Sequence, residues 1–329
     1  MIAVDANGAD RGPATVAEGA RLSGESVLLF GPAAELRDAS EVVDAPVAIG
    51  GGQEPTRAVR RQPDASIVQA ASAVADGRAE ALVSAGSTGP TLAAATLQIK
   101  RIRGVYRPAL AVLLPIPGRC VLLLDCGANV EVRSEHLVQF AYMGACFMEA
   151  VRGVERPSVG LLSVGEEQGK GTPTQLEAHA RLAEGSLNFV GNLEGFDLPG
   201  AAADVIVSDG FTGNVALKEL EGTSRTLAKA IREAIRGGAL STLGGLLIRG
   251  RLGRLRDEVD PEGVGGAILL GLRKPVVVAH GSFGAYGIAS AIRLARRSVD
   301  ERMVERTRSA LETAGALRSV PAASVAPTP

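Results

Sequence analysis

The sequence predicts an α/β fold, a mostly parallel sheet covered by helices on both faces, from three observations. Ten apolar runs of strand length recur along the 329 residues. Most are followed by a glycine-rich turn. The turn in turn gives way to apolar residues at helical spacing. Strand, turn and helix in alternation are crossover units, and parallel strands joined that way need cover on both faces. The length suits one large domain or two modest ones, ample to bury a core.

Taken in order, the strand runs are IAV (2–4), VLLF (27–30), PVAI (46–49), ALVS (81–84), LAVLL (110–114) and VLLLD (121–125), then VGLLS (159–163), LNFV (187–190), DVIVS (204–208) and VVVA (276–279). After VGLLS, the stretch TQLEAHARLAE has helical spacing. From Asn214, Leu217, Leu220, Leu227, Ile231 and Ile235 keep helical spacing as well. The segment GGALSTLGGLLIRGRLGRLRDEVDP then sets Leu240, Leu243, Leu246, Leu247, Ile248, Leu252 and Leu255 among Arg249, Arg251, Arg254 and Arg256. A leucine-rich face beside a row of arginines is what a helix lying on a bilayer presents. A dimer interface with a solvated basic edge has the same composition, and the two can coexist on one projection. Leu243, Leu247, Ile248 and Leu252 are the expected membrane contacts. The expected organisation is one α/β catalytic domain over 1–315, with a helical projection at about 214–258, and a small, proline-rich, disordered tail over 316–329.

Charge narrows the function. With 35 basic against 36 acidic residues the formal charge is −1, which argues against nucleic acid as the main partner. Only five of the basic residues are lysines, so a lysine inside a glycine-rich loop stands out. Cys120, Cys126 and Cys146 are odd in number and lack metal spacing, as suits a reducing cytosol. His136, His179 and His280 also lack metal spacing, so neither metal nor cofactor is expected. No leader pattern opens the sequence and no apolar run approaches the roughly 20 residues of a spanning helix. The expectation is a cytoplasmic protein.

In a parallel α/β sheet, ligands sit beyond the carboxyl ends of the strands. Six loops there look alike: DANGADRGP (5–13), SAGSTGP (84–90), DCGANVEVRS (125–134), VGEEQGKGTP (164–173), SDGFTGN (208–214) and AHGSFGAYG (279–287). Glycines let backbone N–H groups converge on an anion, and the next helix N-terminus adds partial positive charge. Such turns also use Gly, Ser, Asp and Asn simply as caps. Six in one chain point to a shared anionic site. VGEEQGKGTP is not a nucleotide P-loop: three residues, not four, separate Gly165 from Gly169, and Gly171 stands where the metal-binding hydroxyl belongs. Glu166 and Glu167 would also repel a triphosphate. Neither G-x-G-x-x-G after the first strand nor G-x-S-x-G occurs.

The six loops, together with EPTRAVRR (54–61), FVGNLEG (189–195) and GGAILLG (265–271), resemble in order and spacing the phosphate acyltransferase family of bacterial phospholipid synthesis, PlsX. The likeness runs from residue 5 to about residue 282. It implies an isocitrate/isopropylmalate dehydrogenase-like, phosphotransacetylase-like three-layer α/β/α fold. It also implies a homodimer peripherally bound to the cytoplasmic membrane. The implied reaction moves a fatty acyl group from acyl carrier protein to inorganic phosphate, and a downstream glycerol-3-phosphate acyltransferase uses the acyl phosphate. The projection at 239–256 matches the family's helical projection. Alternatives are a phosphotransacetylase-like enzyme using acyl-CoA, a dehydrogenase of similar fold, or a non-catalytic membrane-surface scaffold.

That chemistry assigns roles to the loops. Lys170 is expected to meet phosphate charge and stabilise the transition state. Asn214 either donates its amide to phosphate or carbonyl or caps the helix VALKELEG. Asp209 and His280 stand at strand ends, and His280 is either a proton donor to the leaving thiolate or a structural histidine. Ser87, Thr88 and Asn129 are candidate phosphate or pantetheine contacts. Asp5, Gly8, Ser84, Gly86, Gly89, Glu166, Gly169, Gly210 and Gly213 complete the expected phosphate-binding set. Arg57, Arg60 and Arg61 face phosphate, an acidic carrier protein, or only solvent. The sequence departs from the family pattern at Asn7 and Ala9 (usually Met and Gly), Ser87 (Asn), Ile268 (Pro) and Phe283-Gly284 (Ser and a second polar residue). These departures bear on which acyl donor is used.

Overall fold

A computed structural model describes residues 1–36 and 41–318. Its described residues contain one sheet of eleven strands. The first four are β1 (Ile2–Asp5), β2 (Val27–Gly31), β3 (Val42–Asp44) and β4 (Ala81–Ser84). β5 (Ala109–Ile116) and β6 (Arg119–Leu124) form a hairpin, with Pro117 presetting the turn and Gly118 taking the φ of 73° that it needs. β7 (Ser158–Leu162), β8 (Asn188–Leu193) and β9 (Val205–Val207) follow, then β10 (Ala267–Leu270) and β11 (Val276–Val278).

The helices, in chain order, are α1 (Pro13–Ser23), α2 (Pro55–Arg61), α3 (Ser66–Ala75), α4 (Thr88–Ala94), α5 (Ser134–Arg152) and α6 (Pro173–Ala183), then α7 (Asp197–Gly200), α8 (Gly210–Arg236), α9 (Ala239–Glu258), α10 (Pro261–Val264), α11 (Ala285–Asp300) and α12 (Met303–Thr313). A π-helical turn, Ala95–Ile99, continues α4.

Strand order is β3-β2-β1-β4-β11-β10-β5-β6-β9-β7-β8. Neighbours are parallel from β3 to β11 and again from β6 to β8. Between these blocks β10 runs against both its neighbours, and β5 runs against β6. The sheet therefore consists of two parallel blocks of opposite direction.

Alternation along each strand divides the core. Ile2, Val4, Ala111, Leu113, Leu122 and Leu124 point to one face, where they pack with α1, α5, α6, α11 and α12 in a cluster spanning both blocks. On the other face there are two separate clusters. Ala3, Phe30, Leu82 and Leu110 pack under α2, α3 and α4, whereas Leu114, Val121, Leu123 and Ile206 pack under α7 and α8. The three expected layers are present, and the divided second face leaves the central strands between two groups of helices.

Past Leu220, α8 leaves the core, and α9 has no buried residue. Leu217, Leu220, Leu227 and Ile231 form one stripe on α8. α9 lies close against α8 at Gly245, where a Cβ would stand 2.4 Å from Ile235. The expected lateral division of α9 is not observed. At about 3.6 residues per turn, Arg251 and Arg254 fall on the same side as Leu240, Leu243 and Leu247. Its polarity is lengthwise instead: residues 239–248 carry no charge, whereas 249–258 hold all four arginines. Leu243, Leu247 and Ile248 are exposed in the uncharged half, and Leu252 is half-buried. No helix among the described residues is long and apolar enough to cross a membrane.

Three sequence expectations need correction. PVAI is not a strand: Pro46 has no N–H to donate, and only Val47 makes an isolated bridge, to Ala65. The strand lies just before it, at Val42–Asp44. AILL (267–270) is a strand that the sequence reading omitted. The ordered chain also passes residue 315, because the Ala316 carbonyl accepts from Gln139 Nε2 (2.8 Å) and Arg318 N donates to Gly104 O (2.9 Å). Residues 319–329, the rest of the expected tail, lie outside the described residues.

Gln139 is fully buried and also donates to Gly104 O and accepts from Tyr106 N. Gln139→Ala leaves several buried partners unsatisfied and should cost about 1–3 kcal/mol. The loss should appear in urea unfolding, with faster hydrogen exchange at the Arg318 amide.

Candidate active site

The six loops fall into two groups of three, each group at the carboxyl ends of three adjacent parallel strands. The second block supplies the loops after β6, β9 and β7. Asp125, immediately after β6, is fully buried. Its carboxylate accepts from Leu110 N (2.9 Å), Ala128 N (3.1 Å), Asn129 N (2.7 Å) and Asn129 Nδ2 (2.7 Å). Burial raises its pKa above the ordinary carboxylate range, although these donors pull the other way. The other Nδ2 hydrogen of Asn129 goes to Pro108 O at 2.8 Å. Asn129, a candidate phosphate or pantetheine contact, is thus a clamp whose two side-chain N–H groups are spent on the protein.

The same loop receives α8. Gly210 N donates to Asn129 O at 2.7 Å, and a Cβ on Gly213 would stand 2.0 Å from Asp125 O. Both glycines permit backbone contact rather than lining an open cradle. Asp209 caps α8, accepting from Thr212 N and Thr212 Oγ1, each at 2.8 Å. Asn214 is therefore not the cap. It lies a turn inside the helix, exposed, its side chain making no hydrogen bond among the described residues and facing Gly127.

After β7, residues 164–172 fold back on themselves. Lys170 N donates to Glu167 O (2.9 Å), Ser163 Oγ to Lys170 O (3.1 Å) and Asn192 Nδ2 to Glu167 O (3.0 Å). Thr172 and Gln175 form a capping box, and Gln175 Nε2 reaches Leu162 O at 3.1 Å. The loop backbone is anchored while the Lys170 side chain is exposed. It has no carboxylate within salt-bridge distance among the described residues. Glu166 and Gly169 are exposed on the same loop.

The first block supplies the loops after β1, β4 and β11. Asp5 is buried, accepting from Ser84 Oγ (2.7 Å) and Asn7 N (3.3 Å), and burial pushes its pKa up to about 6. Ser84 Oγ in turn accepts from Gly86 N at 3.1 Å. Asp5 and Ser84 therefore shape the loops and do not reach solvent. A Cβ on Gly8 would meet Gly86 Cα at 3.5 Å, so these two loops touch. Ser87 opens α4 with its hydroxyl making no capping bond; Thr88 is exposed and Gly89 abuts Pro55. His280 is exposed; its Nδ1 takes the Ser282 N–H (3.2 Å) and lies 2.8 Å from Ser282 Oγ. A neutral ring accepting there carries its proton on Nε2, a donor. Arg57, Arg60 and Arg61 are exposed on α2 without an ion pair among the described residues.

No hydrogen bond among the described residues joins the two groups. Ser84, Val278, Ala267 and Val112 lie on one line of register. These three strand steps place β5 about 14 Å from β4. The loop after β6 narrows the gap, for Ala128 packs against the core of the first block. Sequence reasoning missed Asp125, Gln175 and Asn192 as the groups that hold these loops. Asp125, closing the run VLLLD, was the one with a visible signal. No group of three or more His, Cys, Asp or Glu able to hold a metal occurs among the described residues.

The family model described as fatty acid synthesis protein matches residues 1–306. A relative from a Geobacillus strain, named phosphate acyltransferase, is 43% identical over 323 residues, covering 94% of this chain and 98% of its own. One of the same name from Gloeobacter violaceus is 43% identical, covering 94% and 96%. Among solved structures, a phosphotransacetylase from Streptococcus pyogenes aligns with TM-score 0.59 at 19% identity, over 92% of this chain and 94% of its own. A branched-chain phosphotransacylase from Enterococcus faecalis aligns with TM-score 0.57 at 18% identity, over 91% and 99%. At these identities the structural likeness shows the fold alone.

Gly213→Ala drives a methyl into the Asp125 carbonyl and should destabilise by about 1–3 kcal/mol, read by urea unfolding. Burial raises Asp5 in the folded chain from 3.8 to about 6. The unfolded chain therefore loses this proton first, and stability from this group falls as pH rises from about 4 to 6. The full loss is about 3 kcal/mol. Asp5→Asn should lack this slope, so its stability relative to the parent should rise across that window. Parallel stability curves for parent and variant would refute the assignment.

Proposed function

The chain belongs to the fatty acid synthesis protein family, and from that premise we propose that it transfers a fatty acyl group from acyl carrier protein to inorganic phosphate, giving acyl phosphate. The observation that carries this reading is the placement of Lys170 and Asn214. One brings a cation without a carboxylate partner on the loop after β7, and the other an amide without a side-chain hydrogen bond in the first turns of α8, which follows the neighbouring parallel strand β9. His280 brings a third donor from the first block. Four strand steps separate β4 from β6, and a twist of roughly 20–25° per step turns one set of carboxyl ends across the other. This supports a cleft bounded by both groups on the divided face of the sheet.

In that cleft Lys170 neutralises phosphate and holds one oxygen toward the thioester carbon. The C–O bond forms and the carbonyl oxygen becomes an oxyanion. Asn214 donates to the phosphate or to that oxyanion. The C–S bond then breaks as the oxyanion collapses, and the carrier thiolate leaves with His280 Nε2–H hydrogen-bonded to its sulfur, taking up the proton that the attacking hydrogen phosphate brought. Phosphate is itself a competent nucleophile, so no covalent enzyme intermediate is needed. Orientation of two reactants supplies up to about 7–11 kcal/mol, and an oxyanion donor about 2.7–4 kcal/mol more.

The α8–α9 hairpin supports a homodimer and a peripheral membrane contact. Its uncharged half of α9 suits an apolar phase, and its arginines suit anionic headgroups. A membrane position also fits the product, which a glycerol-3-phosphate acyltransferase would consume. Among the family departures, Ser87 offers an uncommitted hydroxyl in place of the usual amide, so the acyl donor is tested directly.

The deciding assay follows phosphate-dependent release of free carrier thiol from a long-chain acyl-carrier thioester, with acyl phosphate identified by mass. The parent should turn over, and Lys170→Ala should be slower by about 100-fold or more with an unchanged circular dichroism spectrum. Equal turnover in the variant would remove Lys170 from the mechanism. A folded parent active only on CoA thioesters would replace the carrier-protein donor.

A further inference from the structure

At the opposite end of β4 and β11 from their site loops, a cavity of about 470 Å³ opens between the end of α3, the π-turn and the start of β11. Its charged lining is Lys100, Arg273, Lys274 and Asp76. Two of the chain's five lysines thus meet in one cavity. None of the three cations has a carboxylate within salt-bridge distance among the described residues. Arg273 is held in place: its N–H donates to Lys100 O (3.0 Å) and its Nε to Arg101 O (3.1 Å). The outer nitrogens of the guanidinium remain for a ligand.

Lys100 shows the same commitment in its backbone. It ends the π-turn with φ 68° and ψ 165°, a region that glycine enters freely and other residues enter at a cost. The conformation is maintained by Lys100 N donating to Ala95 O and by the Arg273 bond. A lysine kept where glycine fits better places a cation at this wall of the cavity. π-turns of this kind concentrate at functional sites. Three cations around one open cavity repel one another, and a multivalent oxyanion relieves that repulsion.

We propose that this cavity is a second anion site, binding a small phosphorylated molecule through Lys100, Arg273 and Lys274. It is separate from the site built around Lys170. The helix running from Thr88 through the π-turn to Lys100, and β11 running from Val276 toward His280, link it to two of the three first-block loops. Its ligand is a compact, multiply charged phosphate ester or anhydride rather than an acyl group, because three cations outweigh Asp76 in the charged lining and the cavity is open to water.

Titration calorimetry with inorganic pyrophosphate at low salt tests the assignment on the full chain. The parent should bind. Lys100→Gly and Lys274→Ala should each weaken binding about tenfold or more, whereas Lys170→Ala should retain the binding that these two lose. Glycine accepts the backbone of residue 100, so Lys100→Gly should keep or raise the melting temperature, which separates loss of binding from loss of fold. Undiminished binding by both cavity variants, or binding abolished by Lys170→Ala alone, would place the anion at the Lys170 loop and overturn the proposal. No heat with the parent at millimolar pyrophosphate would overturn it as well.

Discussion

The buried carboxylate of Asp125 is the interaction on which the second half of the site depends. A carboxylate without solvent is costly unless its lone pairs are filled. Here donors come from β5, from the following loop and from Asn129. Satisfying that one side chain fixes the start of β5 and the loop that faces the first block. The loop then fixes α8, because Asn129 O takes the Gly210 N–H and the Asp125 carbonyl leaves room only for glycine at 213. Asn214 inherits its position from this chain of contacts.

Asp5 repeats the arrangement in the first block, where its carboxylate and Ser84 set the loops after β1 and β4. Each block thus ends a strand in a buried acid that hydrogen-bonds its own loop. The reversal through β10 and β5 then brings the blocks together without a continuous parallel sheet between them. On the second face each block keeps its own group of helices and its own core, whereas the first face is covered by one cluster across both blocks. Ala267 and Val112, paired in register and half-buried, mark the seam where the two cores of the second face meet.

Much of this was legible because apolar runs and glycine-rich turns are local signals. VLLF, ALVS and VLLLD contain strands where they were expected, and all six loops follow strands. The failures have physical causes. PVAI is as apolar as its neighbours, but a proline and the short edge strand before it decided the pairing. The roles of Asn129 and Asp125 depend on Pro108 and Leu110, contacts 15 or more residues away along the chain. Nothing local distinguishes an amide committed to such partners from one free for a ligand. Helical spacing likewise located the α8–α9 hairpin, whereas the lengthwise charge division of α9 emerges only when each residue is placed around the axis.

An exposed Lys170 is not a weakness for the chemistry proposed. In open solvent its attraction for phosphate is screened, so the empty site gains little from it. A bulky thioester laid across the cleft displaces that water. When the effective dielectric falls from that of water to about 20, a charge pair at fixed distance strengthens about fourfold. The backbone bonds of the loop mean that little reorganisation is then required. The same cation is therefore weak toward phosphate alone and strong once the acyl donor covers it. That ordering favours acyl transfer over idle retention of phosphate, and it depends on the donor being large enough to close the space between the two blocks.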